Sequence, residues 1–499
     1  MDYKEEFAKL VEQNRLEEAR HILDKLKYDA SEDPFYYANM GWILNHMERY
    51  QEAEIILRRG IALYSQDGWM YSQLGFCLDR QGKIEDGLEI LLQAIQLGFD
   101  EPWIHGEIGW CYKELNDFKK AVEFFENGLM EEEHNVFILS QAAIAYMELG
   151  KYDTAEEYFK KSYQYQRDND GLYDLANFYH KRKDYKKEIE YLEQMEDIES
   201  NPMLLFEVAV AYYELGEYKL ALEKLESSMA LGKDDTGLRA LLGDIYVGLH
   251  MKTEADQQYN LALGYYEKAL SREEETYWIY QEMIWIAHKQ RDSKKKLEYL
   301  NRASEKHEMT IWLMYHYARC YSDLGEYKKA VDACRYCKDR GEGSKEFYDL
   351  FAWNLGRSDQ EEEAILILKE CMEKYEGDDW NYGELGWNYA QIKEYEKARD
   401  CFLKALSLSE DNPQHTGMLG WCYLRMNQLD DAQQQVEKAF ALGRDDGWLH
   451  SIRAEIYEGK QDYEMALKEF QYALDHDYDE TWIHKEIKEI KNKIKESKK

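Results

Sequence analysis

The thirteen tryptophans of this 499-residue chain occupy only two positions of a pattern that repeats about every 34 residues. Seven stand at the first position: Trp69, Trp103, Trp278, Trp312, Trp380, Trp448 and Trp482. Six stand seven residues later in the pattern: Trp42, Trp110, Trp285, Trp353, Trp387 and Trp421. Seven residues are about two helical turns, so both positions lie on one face of a helix. Gly106 and Gly383 separate the tryptophans of two such pairs, and we expect these glycines to leave room for the rings.

Acidic pairs precede several of the first-position tryptophans, namely Asp100-Glu101, Asp378-Asp379, Asp445-Asp446 and Asp479-Glu480. Indole faces and carboxylates together suit Lys or Arg side chains, through cation–π contact and charge pairing. Two alternatives stay open, because the tryptophans can pack on one another and the acids can cap helices. We predict that the partner-binding residues are all the tryptophans except Trp42, together with Asp378, Asp379, Asp445 and Asp446.

The cysteines and histidines are poor candidates for redox chemistry or metal binding. Cys334 and Cys337 have a Cys-x2-Cys spacing, but the repeat places both in the seam, the buried surface along which the two helices of a repeat unit pack. Cys77, Cys111, Cys320 and Cys422 share one position and are interpreted as small apolar filler. His105, His450 and His484 share another position, one helix spacing apart at the nearest, which is too far for one metal ion. Since no catalytic or phosphate-binding motif occurs either, we predict no enzyme activity, no cofactor and no metal.

Charge and composition restrict the partner and the compartment. The chain has 100 acidic and 64 basic residues, for a formal net charge of −36. This charge opposes direct binding to nucleic acid or anionic lipid and attracts a basic or amphipathic protein or peptide. The charged N-terminus, the lack of a membrane-length apolar stretch and the eight scattered cysteines predict a cytoplasmic protein without a membrane segment. The oligomeric state stays open.

The residues around the tryptophans define two amphipathic helices in each unit of the pattern. Small residues such as Gly41, Gly75 and Gly109 recur every 34 residues, and a tyrosine follows three positions later in most units. An alanine comes nine residues after the tyrosine, and an aromatic or aliphatic residue four positions further on. Glycines at 82, 150, 216 and 325 are expected to end first helices, and the four prolines, Pro34, Pro102, Pro202 and Pro413, to begin them.

This pattern, small–x2–Tyr…Ala–x3–aromatic over residues 1 to about 480, resembles the tetratricopeptide repeat. The resemblance implies an all-α solenoid, a right-handed superhelix of about fourteen helical hairpins with a C-terminal capping helix. It also implies a concave face lined mainly by the first helices, and the two tryptophan positions resemble the ones that point into this groove. One departure is that the family's usual proline near the end of the second helix is absent.

A second departure divides the array. Gly243 and Ile284 are 41 residues apart, so this unit carries seven extra residues. We predict an N-terminal array at 1–249, an extended helix or insertion of the eighth repeat at 250–276, a C-terminal array at 277–480, and a capping helix with a Lys-rich tail at 481–499. The insertion is either a lengthened helix or a joint between two segments. The tail, with its seven lysines up to Lys498 and Lys499, is either a polar cap or a binding arm.

These observations favour a scaffold or adaptor that binds a peptide or helical segment of a partner in an acidic, tryptophan-rich concave groove. The alternative is a peptide-sensing regulator that acts on a separate effector, since no effector domain is visible in the sequence. An enzyme is the least favoured of the three classes, because neither a nucleophile nor a cofactor motif is present.

Overall fold

The chain is all-α. The computed structural model describes residues 3–29, 33–272, 276–476, 478 and 480–497, and this part of the chain contains twenty-nine α-helices and no strand. The helices follow one another as antiparallel hairpins, and in each hairpin the two helices pack closely on each other. The predicted fold class, an all-α repeat solenoid, is confirmed.

The chain divides into two compact units, Met1–Ala262 and Leu263–Lys499, and the boundary falls within helix α16 (Lys252–Leu270). The helices before α16 are α1 (Tyr3–Glu12), α2 (Leu16–Asp29), α3 (Pro34–His46), α4 (Tyr50–Leu63), α5 (Gly68–Arg80), α6 (Ile84–Gln96), α7 (Pro102–Glu114), α8 (Phe118–Glu131), α9 (Val136–Glu148), α10 (Tyr152–Tyr165), α11 (Asn169–Lys181), α12 (Tyr185–Leu192), α13 (Pro202–Glu214), α14 (Tyr218–Ala230) and α15 (Thr236–Gly248). The helices after it are α17 (Tyr277–Lys289), α18 (Ser293–Lys306), α19 (Ile311–Asp323), α20 (Tyr327–Lys338), α21 (Lys345–Gly356), α22 (Glu361–Lys374), α23 (Asp379–Gln391), α24 (Tyr395–Leu408), α25 (Pro413–Arg425), α26 (Leu429–Ala441), α27 (Gly447–Gly459), α28 (Tyr463–Asp475) and α29 (Thr481–Ser497).

Small side chains let the two helices of a hairpin approach each other. A Cβ at Gly109 of α7 would lie only 2.6 Å from the ring of Phe125 in α8. The alanine of the second helix is fully or almost fully buried in eleven hairpins: Ala19, Ala53, Ala121, Ala155, Ala221, Ala255, Ala330, Ala364, Ala398, Ala432 and Ala466. Gly87 stands at this position in one further hairpin, and two hairpins carry a charged residue there, Glu188 and Lys296, both also buried. Three hairpins therefore depart from the rule that this seam position holds alanine.

The helix ends follow the local sequence. All four prolines stand at the start of a helix, and Asp33, Asn201 and Asn412 before three of them accept hydrogen bonds from backbone N–H groups. The glycines at 82, 150, 216 and 325 have φ between +73° and +78°, the left-handed conformation that ends a helix. Both expectations are confirmed.

Helix α16 is nineteen residues long, and its buried residues recur every three or four positions from Ala255 to Leu270. The extra two turns thus keep one buried face in phase along the helix. At the other end, α29 buries Ile483, Ile487 and Ile490 against the preceding hairpin. Lys498 and Lys499 of the predicted tail lie outside the described residues, and the four segment boundaries proposed from the sequence stay a prediction.

Candidate functional site

All thirteen tryptophans keep part of their surface accessible to solvent. Trp278 and Trp285, both in α17, are the most exposed, at 53% and 44% of their surface. The other eleven are half-buried. Both tryptophan positions of the repeat therefore present indole surface, and neither belongs to the buried seam between the two helices of a hairpin.

Three of these tryptophans form a continuous row across three hairpins of the second unit. Trp387 of α23 stacks on Trp421 of α25, with 6.2 Å between ring centroids and 29° between the planes. Trp421 meets Trp448 of α27 edge-on, at 6.4 Å. We call Trp387, Trp421 and Trp448 the tryptophan row. In the first unit, Trp69 and Trp103 meet edge-on at 6.4 Å. Several other tryptophans contact rings of other kinds, as Trp482 contacts Phe470.

Arginines of the chain itself cover part of the row. Arg444 lies over Trp448 with 4.5 Å between the guanidinium carbon and the ring centroid. Arg425 lies over Trp421 at 5.8 Å, and its Nη2 donates to Glu455 at 2.9 Å. Part of the indole surface that we predicted to contact a partner's cation is therefore already covered by arginines of this chain.

The most elaborate of these contacts involves Arg357, directly after α21. Its guanidinium lies 3.9 Å from the Trp353 ring and 5.5 Å from the Trp387 ring. Its Nη2 is 3.8 Å from Oε1 of Glu384, so the two side chains form an ion pair without a hydrogen bond. Burial raises the pKa of Glu384, and the charge of Arg357 only partly offsets this effect. We call Trp353, Arg357, Glu384 and Trp387 the Arg357 cluster.

An equivalent group stands in the first unit. Arg80 lies over Phe76 at 4.5 Å and over Trp110 at 5.1 Å. Its Nη2 donates to both carboxylate oxygens of Glu107, at 3.1 and 3.2 Å. Burial raises the pKa of Glu107, with Arg80 opposing it. We call Phe76, Arg80, Glu107 and Trp110 the Arg80 cluster.

Neither arginine and neither glutamate was among the residues predicted from the sequence, although a signal was present. In both clusters an aromatic residue stands four positions before the arginine, the glutamate follows the arginine by 27 residues, and a tryptophan comes three residues after the glutamate. This spacing joins the first helices of two successive hairpins.

The predicted acidic residues are engaged within the chain. Asp378 caps α23 by accepting from the backbone of Asn381, and it also pairs with Lys345 at 2.6 Å. Burial alone would raise the pKa of Asp378, but the hydrogen bond from Lys345 and two backbone N–H groups lower it. Asp379 lies 3.7 Å from His415.

The second predicted pair behaves in the same way. Asp446 caps α27 and pairs with Arg444 at 2.7 Å. Asp445 accepts from Nε2 of His450 at 2.7 Å, and Nδ1 of that ring lies 2.6 Å from Glu469. Helix capping and ion pairing thus account for the contacts of both acidic pairs. Of the pair at 479–480, Asp479 lies outside the described residues.

A cleft of about 190 Å³ opens beside the Arg357 cluster. Its lining is formed by residues of α23, α24 and α25 together with Arg357: Trp380, Gly383, Glu384, Trp387, Phe402, Gln414, His415 and Met418. A Cβ at Gly383 would overlap the ring of His415. The expectation that this glycine makes room for tryptophan rings is therefore wrong, because the space belongs to a histidine of the next hairpin. The space at Gly106 is likewise bounded by Ile138, 3.1 Å from where a Cβ would stand.

Models of the tetratricopeptide repeat match residues 36–67, 104–134, 140–201, 381–412 and 401–434. The matched segments lie in both units and include Trp387 and Trp421 of the tryptophan row. Together with the hairpin architecture and the buried small-residue seam, they decide the family. The chain is a tetratricopeptide repeat protein.

No curated protein matches the sequence. Among solved structures, this tetratricopeptide repeat protein is similar to "APC/C hetero-tetramer Cut9-Hcn1", with 15% identity and a TM-score of 0.49 over 97% of this chain and 95% of that one. A tetratricopeptide repeat protein from Parabacteroides merdae shares 18% identity at a TM-score of 0.37, over 46% of this chain and 93% of its own. "Naa15/Naa10 bound to HypK-THB" shares 12% identity at a TM-score of 0.34, over 99% and 96%.

Tetratricopeptide repeat proteins generally mediate protein–protein interactions as scaffolds.

The cysteines and histidines considered in the sequence analysis lie mostly in packed positions. All eight cysteines are free thiols, and seven of them are buried, among them Cys334 and Cys337. His450 packs between Phe440 and Tyr472. Within the described residues, no three His, Cys, Asp or Glu side chains are placed to hold a metal ion. Nor is any described helix both long and apolar enough to cross a membrane.

Proposed function

We propose that this tetratricopeptide repeat protein is a scaffold that binds an amphipathic, basic segment of a partner protein on the tryptophan row. The observation that carries the proposal is the row itself. Trp387, Trp421 and Trp448 are in ring contact across three hairpins, yet each remains partly exposed. A continuous aromatic strip of this kind offers anchoring surface to the apolar face of a peptide or helix.

The charge supports a basic partner. The acids nearest the row are already paired with arginines of the chain, as Glu455 with Arg425 and Asp446 with Arg444. The attraction therefore comes from the field of the whole protein, whose formal net charge is −36, and acts mainly on the rate of association. The same field disfavours nucleic acid and anionic membranes as direct ligands.

We also propose that the protein acts in the cytoplasm and has no catalytic activity of its own. The eight unpaired cysteines support a reducing compartment. Support for a purely binding role comes from the buried or internally paired state of the titratable groups near the row, such as Glu384 and Asp446.

The test uses the full chain and two synthetic amphipathic helical peptides that share an apolar face and differ in a Lys-rich or Glu-rich polar face. We expect the Lys-rich peptide to quench tryptophan fluorescence with an affinity that falls with salt, and the Glu-rich peptide to bind much more weakly. Trp421→Ala should weaken binding roughly tenfold or more, because it removes the centre of the row.

The matched control is Trp69→Ala, which disrupts the ring pair of the first unit. It should lower thermal stability without changing peptide affinity. If Trp421→Ala also lowers only the stability and leaves peptide binding intact, the row is a packing element and the proposal is wrong.

A further inference from the structure

The cleft beside the Arg357 cluster has aromatic walls and one charged end. The indoles of Trp380 and Trp387 stand on α23, one on each side of Gly383, and the His415 ring fills the space beside that glycine. Arg357 and Glu384 are the charged residues of its lining, and we call them its charged end. The cleft therefore combines flat apolar surface with a donor and an acceptor.

The two charged groups at this end are incompletely satisfied. Nη1 of Arg357 and Oε2 of Glu384 are both buried, and neither has a hydrogen-bond partner. The closest approach between the two side chains, 3.8 Å from Nη2 to Oε1, is too long for a hydrogen bond. Leaving a buried donor and a buried acceptor unpaired costs free energy that a suitable ligand would recover.

The Arg80 cluster provides an internal comparison, because it holds Arg, Glu and Trp at the same spacing, with Phe76 in the place of Trp353. There Nη2 of Arg80 donates to both oxygens of Glu107, and no atom of either side chain is left buried and unpaired. The spacing alone therefore does not produce the open pair. The Arg357 cluster differs from its counterpart by its separated ion pair, and this pair lies next to a cleft.

The chemistry of the charged end selects the ligand. A carboxylate would pair with Arg357 but meet repulsion from Glu384, and an ammonium group would meet the reverse. A carboxamide is neutral and planar, with an acceptor oxygen for Arg357 and N–H donors for Glu384. It also pairs with the Glu384 carboxyl in either protonation state, and its flat face suits the indole walls.

We propose that the Arg357 cleft binds the side-chain carboxamide of a glutamine carried by the partner segment. The methylene stem of glutamine would lie against Trp380 and Trp387. Its amide would bridge Arg357 and Glu384 once these two side chains turn their buried atoms towards the cleft. This inference rests on the proposed function, since Trp387 belongs to both the cleft and the tryptophan row.

The first experiment uses small probes of similar size and different charge: propanamide, propanoate and propylammonium. The full chain is labelled with 5-fluorotryptophan, and the signals of Trp380 and Trp387 are assigned with Trp→Phe variants. We expect propanamide to shift these two ¹⁹F signals and the two charged probes to leave them unchanged. Equal shifts from all three probes, a shift from propanoate alone, or no shift from any probe would overturn the inference; the last outcome would mean that water alone fills the cleft.

Variants of the two clusters provide the control. Arg357→Met and, separately, Glu384→Leu should each abolish the response to propanamide. Arg80→Met and Glu107→Leu change the equivalent pair in the first unit and should leave it intact. The circular-dichroism melting curve of each variant shows that it is folded. A propanamide response that survives both changes at Arg357 and Glu384 contradicts the assignment.

The second experiment separates the inference from the function on which it rests. The Lys-rich peptide is prepared with Gln, Glu or Met at one position of its apolar face, scanned along the helix. We expect one position at which Gln binds roughly tenfold more tightly than Glu or Met. If the peptides bind without any preference for Gln, the carboxamide site is wrong and the scaffold proposal stands. If no peptide binds while propanamide still shifts Trp380 and Trp387, the scaffold proposal fails instead.

Discussion

The carboxylate of Asp79 occupies the space in which any other residue at position 87 would carry its Cβ. An added Cβ at Gly87 would overlap Oδ1 of Asp79. Asp79 is 2% exposed, and its Oδ2 accepts from Sγ of Cys111 at 3.2 Å. Position 87 is the seam position that holds alanine in eleven other hairpins, so the glycine here compensates for the buried acid on the neighbouring helix.

Gly87→Ala should destabilise the protein by about 2 kcal/mol, although alanine is the usual residue at this position, because overpacking forces the carboxylate to move. Asp79→Ala should remove the obstacle, so the double variant should be more stable than Gly87→Ala alone. Gly264→Ala serves as control, since nothing lies near its Cβ and the change favours the helix. Urea unfolding of the four variants measures the coupling, and additive effects at positions 79 and 87 would contradict the prediction.

The same acid makes stability depend on pH. Burial raises the pKa of Asp79 to about 8, whereas a carboxyl group of the unfolded chain has a pKa of about 4. Between these values the folded state holds a proton that the unfolded chain has released, so stability falls as the pH rises from about 4 to about 8. Asp79→Asn should remove this loss, with a gain over the wild type that grows to about 2–5 kcal/mol at the upper end. Unfolding free energies measured at several pH values test this, and a gain that does not change with pH would refute it.

How far the sequence predicts this molecule depends on whether a feature is periodic. The seam alanines, the glycine turns and the tryptophan face repeat every 34 residues, and a period identifies the face of a helix on which a residue lies. Asp79 and Gly87 break the period together, and only the packed hairpin shows that one fills the space of the other. Arg357 and Glu384 stand on successive hairpins, and their separation depends on how closely those hairpins pack. The sequence shows the 27-residue spacing in both clusters but not that one pair is hydrogen-bonded and the other open.

Lys296 is the exception to the seam that we expect to weaken the second unit. It stands where Ala330 and Ala364 stand in the next hairpins, it is 1% exposed, and its Nζ has no hydrogen-bond partner. Burial lowers the pKa of Lys296, so below the ordinary lysine pKa of about 10 the unfolded chain binds a proton more readily than the folded one. Stability therefore rises with pH in the alkaline range. At neutral pH the buried lysine lowers the stability below the value it reaches at alkaline pH.

Lys296→Met should raise the free energy of unfolding by about 1–2 kcal/mol at neutral pH, because it fills the same volume without a buried amine. The gain should shrink towards about pH 10, where the lysine is neutral in both states. Lys294→Met, at an exposed position of the same helix, is the control and should have little effect. Thermal unfolding at two pH values measures both variants, and a destabilised Lys296→Met protein would show that the amine has a function in the folded state.

The two arginine clusters should respond differently to the same substitution. Arg80→Met removes two hydrogen bonds from Glu107, whose side chain is 10% exposed, and leaves a buried carboxylate unpaired. We expect a loss of about 1–3 kcal/mol. Arg357→Met removes an ion pair that has no hydrogen bond, so its cost should be smaller and should come mainly from the lost contacts with Trp353 and Trp387. Adding Glu107→Leu to Arg80→Met should restore much of the lost stability. Glu384→Leu should likewise stabilise Arg357→Met, because Glu384 is then a buried acceptor without a partner. Urea unfolding of the single and double variants tests the difference, and equal losses in both clusters would mean that the Arg357 pair is as tightly bound as its counterpart.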